Sequence, residues 1–290
     1  MQTARISALL EPFLIHPLSE QQLNQISIYI DLLQRWNARI NLTAIRTEEE
    51  IVTRHFGESL FLARHVFPNV ERTLLSAEAN SADIPARPIS RNQCHPERSQ
   101  GMREADATAE SKDPYSTNQA TRAIEKASPP ESVKDTRDLS GSTGYWVPAT
   151  RYCKVLDIGS GAGFPALPLK IWAPEIHLTL IESNHKKSAF LKEASRALTF
   201  TNVNIMAERT EALLARPDHP QAEVVTLRAV EHFEAVLPQS VSFLAAKATL
   251  ALLIGTSQLR SLTIQTSMNW QSPIPIPSSN TRVLIIGRAN

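Results

Sequence analysis

Residues 154–165 read Lys-Val-Leu-Asp-Ile-Gly-Ser-Gly-Ala-Gly-Phe-Pro, and this run decides the fold. Lys154–Ile158 has the near-continuous apolar character of a strand buried on both faces. Three glycines follow within five positions, Gly159, Gly161 and Gly163, in a chain that holds only nine among its 290 residues. Glycine is needed where the backbone turns with φ > 0 and where a ligand lies against bare main chain, and a helix beginning beyond the loop offers free N–H donors. The run therefore predicts a strand, a ligand-holding loop and a helix. A dinucleotide fingerprint would set the third glycine five residues after the first. Here it comes at four, with Phe164 next. Asp157, two places before the first glycine, would face an amino group well and a pyrophosphate badly.

Outward from this loop, strand and helix signals alternate. Ala166–Ala173 reads as a helix, His177–Glu182 as a strand, Lys186–Leu198 as a helix and Asn202–Met206 as a third strand. Val224–Leu227 is a fourth, Phe233–Ala246 a helix leading into the apolar run Thr249–Ile254, and Arg282–Gly287 a last strand. Strands separated by helix-length segments imply parallel βαβ units in a doubly wound α/β sheet, which binds ligands beyond the carboxyl ends of its strands. Glu182 ends the second strand 23 residues beyond Gly159, where a carboxylate can accept hydrogen bonds from both hydroxyls of a ribose. After the third strand, Arg209-Thr210-Glu211 stands where an adenine edge would be met.

Before the loop the chain changes texture twice. Residues 19–42 carry Leu23, Ile26, Ile30, Leu33 and Ile40 at helical spacings behind the cap candidate Ser19, and a second helix is expected after Thr47, ahead of three glutamates. Between Ser76 and Gly144 only eight of 69 residues are Val, Ile, Leu, Phe, Met, Trp, Tyr or Cys, and six are Pro. That segment cannot bury enough apolar surface to offset its ordering entropy, so a disordered insertion is expected there. The domain reading is a helical segment at 1–75 packed on the catalytic part, the insertion at 76–144, and a ligand-binding α/β domain at 145–290.

Composition narrows the class. No apolar run approaches the roughly 18 residues of a membrane span, no secretory signal is evident, and two cysteines, Cys94 and Cys153, make neither a disulfide framework nor a zinc cluster. A cytoplasmic protein with no membrane association is expected. The eight histidines show no metal-ligand spacing, so no metal is expected. Net charge is +1 overall, but residues 151–290 hold 14 basic against 10 acidic side chains. That balance permits a nucleic-acid substrate without requiring one.

The D-x-G-x-G-x-G pattern at 157–163 resembles the first motif of class I S-adenosylmethionine-dependent methyltransferases, a Rossmann-like fold whose mostly parallel sheet has seven strands. The string Leu32-Leu-Gln-Arg-Trp-Asn-Ala-Arg-Ile-Asn-Leu-Thr43, then Arg54-His-Phe-Gly-Glu-Ser-Leu60, the loop with Phe164-Pro165, Leu227-Arg228-Ala229 and the ending Arg282–Asn290 together resemble the RsmG (GidB) family. The resemblance covers about 200 of the 290 residues in the right order. It implies a 16S ribosomal RNA guanine-N7 methyltransferase acting on guanine 527 of the small-subunit RNA; separately, a monomer is expected. It further implies cofactor contacts at Gly159, Phe164, Thr210, Glu211 and Arg228, with Glu182 on the ribose, beside the loop residues Asp157, Gly161 and Gly163 read from the motif itself. RNA-binding candidates are Arg39, Arg46, Arg54, His55 and Arg228, of which the arginines can fork onto phosphate or stack on bases.

Three departures from the family pattern are visible. Glu58 stands for the usual Asp, Ile254 before Gly255 for the usual Lys, and the 76–144 insertion replaces a short connection. Guanine N7 carries an in-plane lone pair and no proton, so direct transfer needs no general base and positioning is the expected source of catalysis. Ser128-Pro-Pro-Glu131 is the nearest approach to an amine methyltransferase motif, and neither cysteine follows a sheet strand as a covalent nucleophile would. Two other readings stay open from the sequence: an NAD-dependent oxidoreductase on a related fold, and a non-enzymatic RNA-binding relic lacking the Lys.

Overall fold

The computed structural model describes residues 1–68, 153–229, 232–264 and 267–289. The insertion expected at 76–144, with Cys94 and Ser128–Glu131, lies outside the described residues.

The N-terminal segment is helical because its apolar side chains repeat at three and four residues behind good caps. α1 (Thr3–Leu10) leads through a 3₁₀ turn at Glu11–Phe13 to α2 (Glu20–Ile40). Ser19 and Gln22 form a reciprocal capping box at the start of α2, and Asn41 closes it in the left-handed region at φ 49°. Thr47 caps the next start, accepting from the Glu50 N–H, and the helical path continues as α3 (Glu48–Glu50), a π segment (Ile51–Gly57) and α4 (Glu58–Val66). The sequence predicted this helix but not the π turn within it.

The α/β part runs β1 (Lys154–Ile158), α5 (Ala166–Trp172), β2 (His177–Ile181), α6 (His185–Ala197), β3 (Val203–Met206), α7 (Thr210–Leu214), β4 (Ala222–Arg228), α8 (Phe233–Ser242), β5 (Leu244–Gly255), β6 (Met268–Trp270), β7 (Ile274–Pro275) and β8 (Arg282–Ala289). The path of the sheet is β3-β2-β1-β4-β5-β8-β6, seven strands, with β7 pairing β8 as a two-residue eighth. β1 to β5 pair in parallel, and β8 runs antiparallel to β5, β6 and β7. This is the doubly wound, mostly parallel Rossmann-like methyltransferase architecture, with the order reversing between β1 and β4.

Alternate residues of each strand face opposite layers. Val155, Leu178, Leu180, Val224, Leu253 and Leu284 join the N-terminal helices, α5 and α6 in one core. Leu156, Ile158, Val225, Leu227, Leu252 and Ile285 join residues of α7 and α8 in the other. Helices on both faces explain why the strands read as apolar runs rather than alternations. Ile254, where the family usually has Lys, is 3% exposed in this second core and pairs with Val283. The helix read at Phe233–Ala246 stops at Ser242, because Leu244 already pairs with Ala222 at the start of β5. β6 and β7 went unseen because three- and two-residue strands carry no periodicity. Among the described residues no helix is long and apolar enough to cross a membrane.

Candidate active site

A cavity of about 640 Å³ opens beyond the carboxyl ends of β1, β2 and β4. Its floor is the loop 159–165. Gly159, Gly161 and Gly163 have φ of 67°, 56° and 84°, a region in which L side chains are strained. The loop is fixed by its own main chain: the Gly159 and Ser160 N–H groups donate to the Ile181 carbonyl at 2.9 and 3.1 Å. Gly161 donates to Glu182 Oε2 at 2.8 Å, and Asn184, which caps α6, donates to Glu182 Oε1 at 2.8 Å. These two bonds aim a buried carboxylate, 7% exposed, along the cavity edge, and a carboxylate has acceptor sites left over.

Gly161 and Gly163 need glycine for different reasons. A Cβ on Gly161 would find only the Gly159 carbonyl, at 3.7 Å, so its outer side is free for a ligand. A Cβ on Gly163 would come within 2.3 Å of Tyr29 Oη and 2.7 Å of Leu167 Cδ1, so here glycine serves packing. Tyr29, from the middle of α2, donates its hydroxyl to the Ala162 carbonyl at 2.5 Å. Its ring stacks on Phe164 with centroids 5.2 Å apart and planes 6° apart, and His55 stacks at 4.5 Å and 11°. Phe56 meets the same ring edge-on at 5.2 Å. Phe164 is thus the point at which the N-terminal helices grip the glycine loop.

His55 lines the cavity as a neutral ring. Burial, then the charges of Arg228, Arg54 and Arg282, push its pKa down to about 2. Its Nε2 is 2.8 Å from Thr43 Oγ1. The His55 imidazole therefore carries no charge for an RNA phosphate. Arg228 is 8% exposed and donates to the Arg54 and His55 carbonyls and to Glu58 Oε2, the last at 3.1 Å. Glu58, 3% exposed, also forms an ion pair with Arg282, N to O 2.9 Å. Burial raises the Glu58 pKa while the arginines oppose that rise. Burial lowers that of Arg228 to about 10, which leaves it charged at neutral pH. The sequence read Arg228 as a cofactor or RNA contact. It lines the cavity, but its guanidinium first of all ties β4 to the π segment.

The cavity brings together Gly159, Gly161, Phe164, Glu182, Thr210, Glu211, Arg228, Arg54 and His55. Two residues of the glycine motif sit behind its wall. Asp157 is 1% exposed and accepts from Thr226 Oγ1 at 2.6 Å, its cross-strand neighbour, rather than facing a ligand amino group. Burial pushes its pKa up to about 7 against the Thr226 and Ser160 hydrogen bonds. Gly163 is the other. Arg39 and Arg46 are exposed and not part of the wall; Arg46 donates to Asn41 Oδ1 at 2.9 Å. The structure adds Thr43, Asn184, Lys187 and Arg282 to the lining. Asn184 was open to discovery as a cap before a helix. The role of Arg282 was not, because its partner is far away in sequence. Cys153 is buried with its thiol pushed up to about 12 by burial and Glu223, so it is no nucleophile. Among the described residues no group of three or more His, Cys, Asp or Glu side chains could hold a metal.

The fit to a nucleoside cofactor rests on the bare backbone at Gly161 and the carboxylate of Glu182 on one cavity. The chain is 31% identical over 214 residues to the ribosomal RNA small subunit methyltransferase G of Roseiflexus castenholzii, 73% of this chain and 56% of that protein. With the Bacillus subtilis protein of the same name it shares 25% over 280 residues, 93% and 83% of the two chains. The chain spans 56–62% of the length of the first three such relatives. Among solved structures, a putative methyltransferase from Escherichia coli overlaps with a TM-score of 0.42 and 17% identity, covering 49% of this chain and 81% of that one. The GidB family, described as rRNA small subunit methyltransferase G, matches residues 22–75 and 137–273, which take in α2, the π segment that stacks on Phe164 and the glycine loop itself; the chain belongs to that family.

Proposed function

We propose that this chain methylates guanine N7 in 16S ribosomal RNA with S-adenosylmethionine as donor, acting in the cytoplasm on the small-subunit RNA at the position equivalent to guanine 527. The observation that carries the reading is the cradle itself: bare backbone at Gly161 facing a 640 Å³ cavity whose edge is the doubly anchored Glu182 carboxylate. Gly159 and Gly161 would lie against the cofactor's amino-acid end, Glu182 would accept from its ribose hydroxyls, and Thr210 and Glu211 would border the adenine. When bound, the cofactor supplies an electrophilic methyl group on a sulfonium.

The chain's own part is positioning. Guanine N7 brings a lone pair and no proton, so no residue is assigned as a base. Phe164, clamped between two rings, supplies a rigid apolar wall that excludes water from a cationic sulfur. Arg54, exposed at the same cavity, is placed to meet RNA, while Arg228 is held by Glu58 and two carbonyls. Mixing the protein with labelled adenosylmethionine and either small ribosomal subunits or bare 16S RNA tests the reading. Label recovered as N7-methylguanine is expected. Cofactor binding without label in RNA would favour a relic, and binding of NAD in place of adenosylmethionine would favour an oxidoreductase.

A further inference from the structure

We propose that Arg54 and Arg282, with the Ser278–Thr281 loop, form a phosphate subsite beside the cofactor cavity that takes a backbone phosphate of the RNA next to the methylated nucleotide. This rests on the methyl-transfer reading above. A second cavity of about 250 Å³ shares Arg54 and Arg282 with the first, and Glu58, the carboxylate that both Arg228 and Arg282 reach, also borders it. The two arginines are common to the place where a cofactor fits and a pocket bordered by Ser278, Ser279, Asn280 and Thr281, whose hydroxyls and amide are hydrogen-bond donors.

Charge argues for an anion. Arg54, Arg228 and Arg282 surround one carboxylate, Glu58, leaving two positive charges in excess. Arg228 is fully engaged with two carbonyls and Glu58. The Arg54 guanidinium makes no hydrogen bond among the described residues. Arg282 uses Nη2 on Glu58, but its Nε–H is buried with no acceptor among them. A buried donor without an acceptor is costly and calls for a partner. Burial first, and then the same three cations, disfavour a charge on His55. Guanidinium forks match a phosphodiester bidentately, and the hydroxyl-bearing loop supplies neutral donors around it. The competing anion is the carboxylate of adenosylmethionine, reachable from the first cavity alone.

The test measures binding of a 16S RNA fragment by the full chain as a function of potassium chloride, with adenosylmethionine affinity measured alongside. Arg54→Ala removes an exposed side chain with no hydrogen bonds and should fold. It should weaken RNA binding about tenfold and flatten the plot of log affinity against log salt by about 0.9, the share of one phosphate contact. Arg282→Lys should keep the salt slope while weakening binding through loss of the fork, and Arg282→Ala should lose both. Arg196→Ala removes the same charge from the last turn of α6, at the opposite edge of the sheet, and should leave the slope unaltered. An Arg54→Ala variant with wild-type affinity and slope overturns the subsite. So does a loss of adenosylmethionine affinity with RNA binding intact, which would give the arginines to the cofactor carboxylate. A wild-type protein that transfers no methyl group to RNA would instead overturn the parent reading and the subsite with it.

Discussion

Gly161 and Asp157 sit four residues apart and respond to opposite sides of the site. Gly161→Val would add a branched side chain at φ 56° that projects toward the cavity. Adenosylmethionine affinity should fall more than tenfold in titration calorimetry while circular dichroism stays native, and an unchanged affinity would remove the cofactor assignment. Asp157 is a matter of stability. Its folded pKa of about 7 lies above its ordinary value of 3.8, so between those values the native state binds the proton that the unfolded state has released. Stability therefore falls as pH rises through that window, by at most about 1.4 kcal/mol per unit, and levels off above pH 7. Asp157→Asn cannot ionise yet keeps an acceptor for Thr226. Urea denaturation should find it progressively less destabilised relative to wild type from pH 4.5 to pH 8. A gap independent of pH would show that Asp157 is not protonated in the fold.

At the scale of elements, Arg228 of β4 bonds the Arg54 and His55 carbonyls of the π segment Ile51–Gly57, and Arg228 and Arg282, from strands on either side of β5, both reach Glu58 at the start of α4. Removing one member of a buried ionic network leaves the others uncompensated, at about 3–5 kcal/mol. Glu58→Ala should lose about that much stability in denaturant titration, and Glu58→Gln less, because it keeps an acceptor for one arginine. A Glu58→Gln variant as stable as wild type would make packing volume the cause instead of charge. The same element shows what the sequence could and could not reveal. Ser19 and Thr47 marked helix starts because a cap is a local hydrogen bond, and Lys154–Ile158 was legible to the residue because an apolar run and three glycines bound it. The π turn was not legible, since carbonyls 54 and 55 are captured by a cation more than 170 residues away. For the same reason Arg228 was legible as a site residue but not as a tie between elements, and Arg282 was missed. Asp157 was recognised as part of the motif, yet its partner Thr226 lies across a strand pair, so the motif alone could not say which way it faces.

For the molecule as a whole, the described residues close two cores on either face of the sheet. Gln22 on α2 donates to the Ile171 carbonyl on α5, and Trp172 donates to the Phe67 carbonyl, so the N-terminal helices and the α/β part are bonded directly to each other. Deleting residues 80–140 should accordingly shift the melting temperature by only a few degrees. Cooperative unfolding at a much lower temperature would show that the deleted segment contributes to the core. The Glu58 network has a further consequence, one of timing. Its members lie 170 residues apart for Arg228 and Glu58, with Arg282 another 54 beyond Arg228. Contacts so distant along the chain form late, because the intervening loop must first be closed. A chain made from its amino end therefore exposes Glu58 well before the two arginines that pair with it, and the carboxylate stays uncompensated until Arg282 has been made.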